Sequence, residues 1–197
     1  MTLHILILAA GSATRMRGGD KLLETIHGIP QIARIALAAL ATGLPCHIAL
    51  PPDRPLRAAA IRNLPIHPIP VPDAADGMGI SLRTAAALIP SAALMIVLAD
   101  LVDITRADLA TMIAAHRAQP QALLRAASDG TPGHPTIIPA DLRPALLTLN
   151  GDTGARALIL AQRHRVALVN LPAGHAATDL DTPEDWAAWR LRTGIPA

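Results

Sequence analysis

The chain has 197 residues, 51% of them hydrophobic and 16% charged, with a formal net charge of +2 and no phenylalanine or tyrosine. That length supports one ordered domain with a sizeable core and falls short of two ordinary ones. Dispersed arginines argue against a basic nucleic-acid patch, aromatics limited to Trp186 and Trp189 argue against base stacking, and Cys46 as the lone cysteine excludes an internal disulfide or a cysteine metal cluster.

The opening "MTLHILILAA" has no basic residues before its apolar run, and the run is too short to span a membrane. It reads as a first strand, "HILILA" from His4, in a soluble cytoplasmic protein. Pro30 opens and Gly43 closes a helix, "PQIARIALAALATG". "CHIAL" from Cys46 and "IHPIPV" from Ile66 are strands, and "ISLRTAAALI" from Ile80 is a second helix. "LMIVLA" from Leu94 is apolar nearly throughout, as a strand covered on both faces should be. "TRADLATMIAAHRA" follows as a helix, with Thr105 and Asp108 set as a capping pair. "ALLRAA" from Ala122 is a strand, "DLRPALLTL" from Asp141 and "TGARALILAQRH" from Thr153 are helices, and "VALVNL" from Val166 is the last strand. "TPEDWAAWRLR" closes the series as a helix, with Thr182 as N-cap and Pro183 in its first turn. The eight histidines show no helix-face pairing, so a histidine zinc site is not expected.

Alternating strands and helices predict an α/β fold: a single domain over residues 1–197, Rossmann-like, with three α/β/α layers around a mostly parallel sheet. Ligands of such sheets bind outside the carboxyl ends of the strands, so the residues just after each apolar run are the ones to watch.

The first such segment is "LAAGSATRMRGGDKLL", Leu8 to Leu23. Of the 17 basic residues, the only lysine is Lys21, inside this loop. Lysine brings a compact, mobile point charge that a guanidinium cannot imitate. The dinucleotide pattern Gly-x-Gly-x-x-Gly fails at Ala13 and Met16, and the Walker pattern fails because Lys21 lies between Asp20 and Leu22. What remains is a sharp turn at Gly11, backbone amides free for anionic oxygens, and positive charge from Arg15 and Lys21. A glycine-bearing turn with solvated basic residues is the plainer alternative.

Carboxylates follow two other segments. Asp100 ends the strand in "IVLADLVD" with Asp103 close behind, and "TDLDTPEDW" supplies Asp179 and Asp181. Oxygen ligands from two separate loops suit a hard cation such as Mg²⁺ when phosphates complete its shell. Asp181 could instead serve the dipole of the following helix. Asp100, at the end of an apolar strand, needs a partner.

Five stretches in order, "LAAGSATRMRGGDKLL", "DGMGISLRTA", "LADLVDIT", "GHPTIIP" with "GDTGAR", and "DLDTPEDW", resemble the nucleotidyltransferases related to molybdenum cofactor cytidylyltransferase and guanylyltransferase. "LAAG" is closer to the cytidylyl branch, since the guanylyl branch typically reads "LAGG". Two departures are Val102, where the family usually has proline, and Arg17, where it usually has glycine. The resemblance implies the nucleotide-diphospho-sugar transferase type of fold and attack by an acceptor phosphate on the α-phosphorus of a nucleoside triphosphate, with pyrophosphate leaving. It implies that the nucleotide lies over Leu8, Ala9, Ala10, Gly11 and Ser12, with Gly77 and Ser81 serving base and ribose. Arg15 and Lys21 would grip the phosphates, and Asp100 and Asp181 would hold Mg²⁺, making Lys21, Arg15 and Asp100 the catalytic set. His134 and Arg156 would contact the acceptor, although a turn role for His134 and a plain surface role for Arg156 stay open. The preferred substrates are CTP and the molybdenum cofactor, with a molybdoenzyme or its chaperone as partner and no nucleic acid or membrane. Rival readings are guanylyl transfer, transfer to a sugar or alcohol phosphate, a delivery protein without turnover and, weakest, a dinucleotide-dependent reductase.

Overall fold

Strand β1 (Leu3–Leu8) is buried at all six positions, five of them apolar and one His4, as a strand between two helical layers must be. The computed structural model to which it belongs describes residues 2–11, 13–151 and 154–196. A short antiparallel pair, β2 (Thr25–Ile26) and β3 (Ile29–Pro30), leads into α1 (Gln31–Leu40). Then come β4 (Cys46–Leu50), α2 (Pro55–Ile61), β5 (His67–Pro70), α3 (Met78–Leu88) and β6 (Ala93–Leu98). The second half holds α4 (Arg106–Ala118), β7 (Leu123–Ser128), β8 (Thr131–Ile138), α5 (Arg143–Leu146), α6 (Arg156–Ala161), β9 (Val166–Asn170) and α7 (Pro183–Thr193).

Seven strands form one sheet in the order β5-β4-β1-β6-β8-β7-β9. Pairing is parallel except along β8, which runs against both β6 and β7. One apolar cluster packs one face beneath α1 and α4, and a second packs the other face beneath α3 and α5. A third, with Met16, Val102, Trp186 and Trp189, seats α7 against the loops at the carboxyl ends of the strands. Both expected capping threonines accept from the backbone three residues on, Thr105 from Asp108 and Thr182 from Asp185.

The sequence reading omits α2, the β2–β3 pair and β8. β8 carries two prolines and a glycine, "TPGHPTII", and shows no alternation. Its register slips against β7 between Arg125 and Ala127, so the "GHP" segment is a bulged strand rather than a free turn. The "DLRPALLTL" helix shrinks to α5 behind a 3₁₀ turn, and α6 begins at Arg156. Thr153, its expected start, lies outside the described residues. Among the described residues no helix is long and apolar enough to cross a membrane.

Candidate active site

β1 hands the chain to Ala9 and Gly11 while its neighbours still hold it: Ala9 N–H donates to Ala49 O (3.0 Å) and Ala99 N–H to Leu8 O (3.1 Å). The sharp turn comes later than the sequence suggests. Gly11 is not left-handed; the reversal is made around a 3₁₀ turn, Thr14–Met16, flanked by Ala13 (φ 54°) and Arg17 (φ 49°). Left-handed backbone costs a non-glycine residue roughly 1–2 kcal/mol, so tertiary contacts must hold this loop. The Arg17 side chain turns to Glu184 (2.8 Å) on the exposed surface, away from the cavity.

The main clamp is Arg57 of α2, whose side chain is fully buried. It holds Asp20 through two bonds (2.7 and 3.0 Å) and donates from Nη1 to the carbonyls of Ala9 (2.7 Å) and Gly11 (2.8 Å). One guanidinium thereby ties the start of the loop to its end, a task suited to its rigid fork of donors. Sequence reasoning missed Arg57, because nothing in "PLRAAAI" marks one arginine as buried.

Asp100 follows β6, and Asp181 precedes α7. Their loops are joined by a bridge between Leu101 and Asp179 and by Val102 N–H donating to Thr178 O (3.3 Å). That second bond needs the amide hydrogen that proline lacks. Lys21 Nζ donates to Asp100 Oδ2 and Asp181 Oδ1, both at 2.6 Å, and Arg15 pairs with Asp181 Oδ2 at 2.7 Å. Burial works to lower the Lys21 pKa, but the two carboxylates outweigh it and hold the ammonium above its ordinary value. Asp179 is raised by burial and by repulsion from Asp100 and Asp181. Asp103 is a strut: it accepts from Trp189 Nε1 (3.0 Å) and so fixes α7.

Asp100 Oδ1 is buried without a hydrogen-bond partner. A bare carboxylate oxygen beside Asp181 fits a hard divalent cation. Among the described residues no group of three or more acid, histidine or cysteine side chains could hold a metal ion, so ligand oxygens would have to complete the shell.

These groups open on a cavity of about 790 Å³. Leu8, Ala9, Ala10, Gly11, Arg15, Lys21, Gly77, Ser81, Asp100 and Asp181 all line it; Ser12 lies outside the described residues. Gly77 (φ 115°, ψ 169°) occupies a backbone region open essentially to glycine alone, and there it turns the chain into the α3 N-terminus. That helix end turns a positive dipole toward an anion, while the amides of Gly77, Gly79 and Ile80 already donate to the carbonyls of Ala74, Gly151 and Gly77. Pro51, Asp53 and Arg54 after β4, and Pro72 and Ala74 after β5, also line the cavity. Both groups follow strand ends, which is the signal in the sequence that marks them.

The acceptor candidates stand apart from this lining. Arg156 is exposed at the start of α6. His134 is partly buried on β8, and burial pushes its pKa down to about 4, with the Arg125 charge adding to the effect and the nearby Ile96 backbone working against it.

Residues 5–166 match the MobA-like NTP transferase domain family. Nicotine blue oxidoreductase of Paenarthrobacter nicotinovorans is 28% identical over 188 residues, covering 90% of this chain and 91% of that protein. Rv0371c from Mycobacterium tuberculosis H37Rv superposes with a TM-score of 0.81 at 24% identity, covering 95% of this chain and 96% of the other. A structure of Rv0371c in complex with manganese gives 0.78 at 21% identity, covering 95% and 97%. These two structures support the fold.

Proposed function

The chain belongs to the MobA-like NTP transferase family, and from that premise we propose that it is a Mg²⁺-dependent cytidylyltransferase that transfers CMP from CTP to the phosphate of the molybdenum cofactor. The observation that carries this reading is Lys21, held between Asp100 and Asp181 at the wall of the cavity. Two anions must be brought together for such a transfer, and this wall holds cations and carboxylates that can exchange partners to accommodate them.

The acceptor phosphate oxygen bonds to the α-phosphorus as the bond to the bridging oxygen breaks, and pyrophosphate leaves with that electron pair. A phosphate monoester is largely dianionic near neutral pH, so no side chain has to remove a proton. Lys21 and Arg15 release the carboxylates and take up phosphate oxygens, with Lys21 nearest the phosphorus under attack. Asp100 and Asp181 would hold Mg²⁺, which when bound neutralises charge on the triphosphate. The manganese in Rv0371c is in keeping with a divalent cation here. The loop Leu8–Gly11 and α3, through Gly77 and Ser81, receive the nucleoside, and His134 and Arg156 meet the acceptor. The cytidylyl preference rests on "LAAG", and the loaded cofactor would pass to a molybdoenzyme or its chaperone in the cytoplasm.

Thermal melting with Mg²⁺ and each of CTP, GTP, ATP and UTP tests the base. A ligand at 100 times its Kd adds about 2.7 kcal/mol to stability, so CTP should raise Tm most; stabilisation by GTP without CTP refutes the cytidylyl assignment. Lys21→Ala should stay folded and lose about 10²–10³-fold in pyrophosphate release. The relative named nicotine blue oxidoreductase favours a second reading, hydride transfer from a reduced nicotinamide dinucleotide held in the same cavity. Stabilisation by NADH or NADPH but by no nucleoside triphosphate would select it.

A further inference from the structure

Arg125 lies in the middle of β7, a strand otherwise built from small and apolar residues, opposite Thr136 of β8. Cross-strand partners share a sheet face. Leu123 and Ile138, two residues away on each strand, belong to the apolar cluster that also holds Leu8 and Ala10. Arg125 therefore lies on the same sheet face as Leu8 and Ala10, beyond the residues that line the cavity. It is partly buried, and among the described residues it has neither a hydrogen bond nor a carboxylate partner. Its Nε is buried without a partner, as are Thr136 Oγ1 and His134 Nδ1.

Two orphaned polar atoms beside a guanidinium that has no partner among the described residues are costly in a folded chain and point to a ligand that completes them. His134 senses both ends of the arrangement, the positive charge of Arg125 and the negative charge of Asp100. Arg125 pairs with Thr136 and Thr136 with Ile96, four residues before Asp100. Two strand spacings of about 4.8 Å and four rises of about 3.3 Å separate the two backbones by roughly 16 Å.

We propose that Arg125, with Thr136 and His134 beside it, anchors a second, remote oxyanion of the acceptor, whose other end is the phosphate that attacks beside Asp100 and Lys21. The assignment rests on the nucleotidyl-transfer reading and narrows it: the acceptor is an elongated molecule with anionic oxygens at both ends. Binding energy from such a remote group can be used to align the reacting one. The planar guanidinium holds an oxyanion through two parallel bonds.

The test is titration with inorganic phosphate at constant ionic strength, followed by thermal melting, with saturating Mg²⁺ and CTP to occupy the loop cations. The wild-type protein should show a saturable rise in Tm. Arg125→Gln should bind phosphate at least tenfold more weakly, and Arg125→Lys should fall between. Removing a charge that has no acidic partner leaves no orphaned ion behind, so Arg125→Gln without ligand should melt no lower than wild type and should keep its full response to Mg²⁺ and CTP. Absence of a saturable phosphate response in wild type, or an unchanged response in Arg125→Gln, overturns the assignment. If CTP stabilises neither protein while phosphate binding still depends on Arg125, the nucleotidyl reading fails and the oxyanion site stands.

Discussion

The two ends of the central strands carry different electrostatics. At the carboxyl ends, charges are numerous and matched: Lys21 with Asp100 and Asp181, Arg15 with Asp181, Arg57 with Asp20. At the amino ends, His4, His47 and His67 line up across β1, β4 and β5. Neighbouring ring centroids are 5.3 Å apart in each step, and His4 Nδ1 lies 3.0 Å from His47 Nε2. Burial, assisted by the Arg143 guanidinium and the neighbouring rings, lowers the pKa of both His4 and His47. One end holds charge that can be transferred to an incoming anion and cation. The other keeps His4 and His47 neutral near pH 7. Both ends are equally part of the sheet, so it is the availability of exchangeable charge that separates a site from a scaffold.

That contrast predicts where substitutions act. Arg57→Ala strands Asp20 in a buried pocket and should destabilise the fold by about 3–5 kcal/mol in denaturant melts. Replacing both partners, Arg57→Met with Asp20→Leu, should cost much less; equal losses would mean that Arg57 acts only by filling space. Asp100→Asn should retain stability within about 1 kcal/mol while pyrophosphate release falls by about 10²-fold or more. Preserved turnover there would move the chemistry away from this cluster.

At the opposite end the lever is pH. His47 has a folded pKa of about 4 against an ordinary value of about 6.5, so in the unfolded chain it takes up a proton first. Stability should be unaffected above about pH 6.5 and should fall as pH drops from there to about 4, by no more than about 1.4 kcal/mol per pH unit for one proton. His47→Gln should flatten part of that slope, and only part, because His4, His116 and His134 are lowered in the same direction. An unchanged slope would show that His47 is not held neutral. The smallest effect expected is Thr182→Ala, which removes the N-cap of α7 and should cost about 1 kcal/mol in thermal or denaturant melts. A matching fall in activity would show that the cap also steadies Asp181.

Much of the site was legible because it obeys strand-end logic. Lys21, Asp100 and Asp181 all stand next to segments whose apolar runs or caps are plain in the sequence, and all three line one cavity. Arg57 was not legible: its burial depends on the loop between Ala9 and Asp20 folding over it. β8 was missed for a related reason. Its prolines and glycine read as a turn, whereas the backbone at Gly133 presses so closely on Ala176 O that an added Cβ would lie 1.9 Å from it. Only packing between segments distant in sequence reveals that demand.

The sequence by itself determined six of the nine strands among the described residues, the capped helices and which residue types stand at the carboxyl ends of the sheet, because hydrophobic periodicity and capping are local physics. The tertiary structure alone decided that Lys21 would be shared by Asp100 and Asp181, that Arg57 would close the loop, that β8 would run antiparallel, and that Arg125 would have no counter-charge among the described residues. Each of those depends on the order in which strands assemble, and strand order is set by contacts that no short stretch of sequence contains.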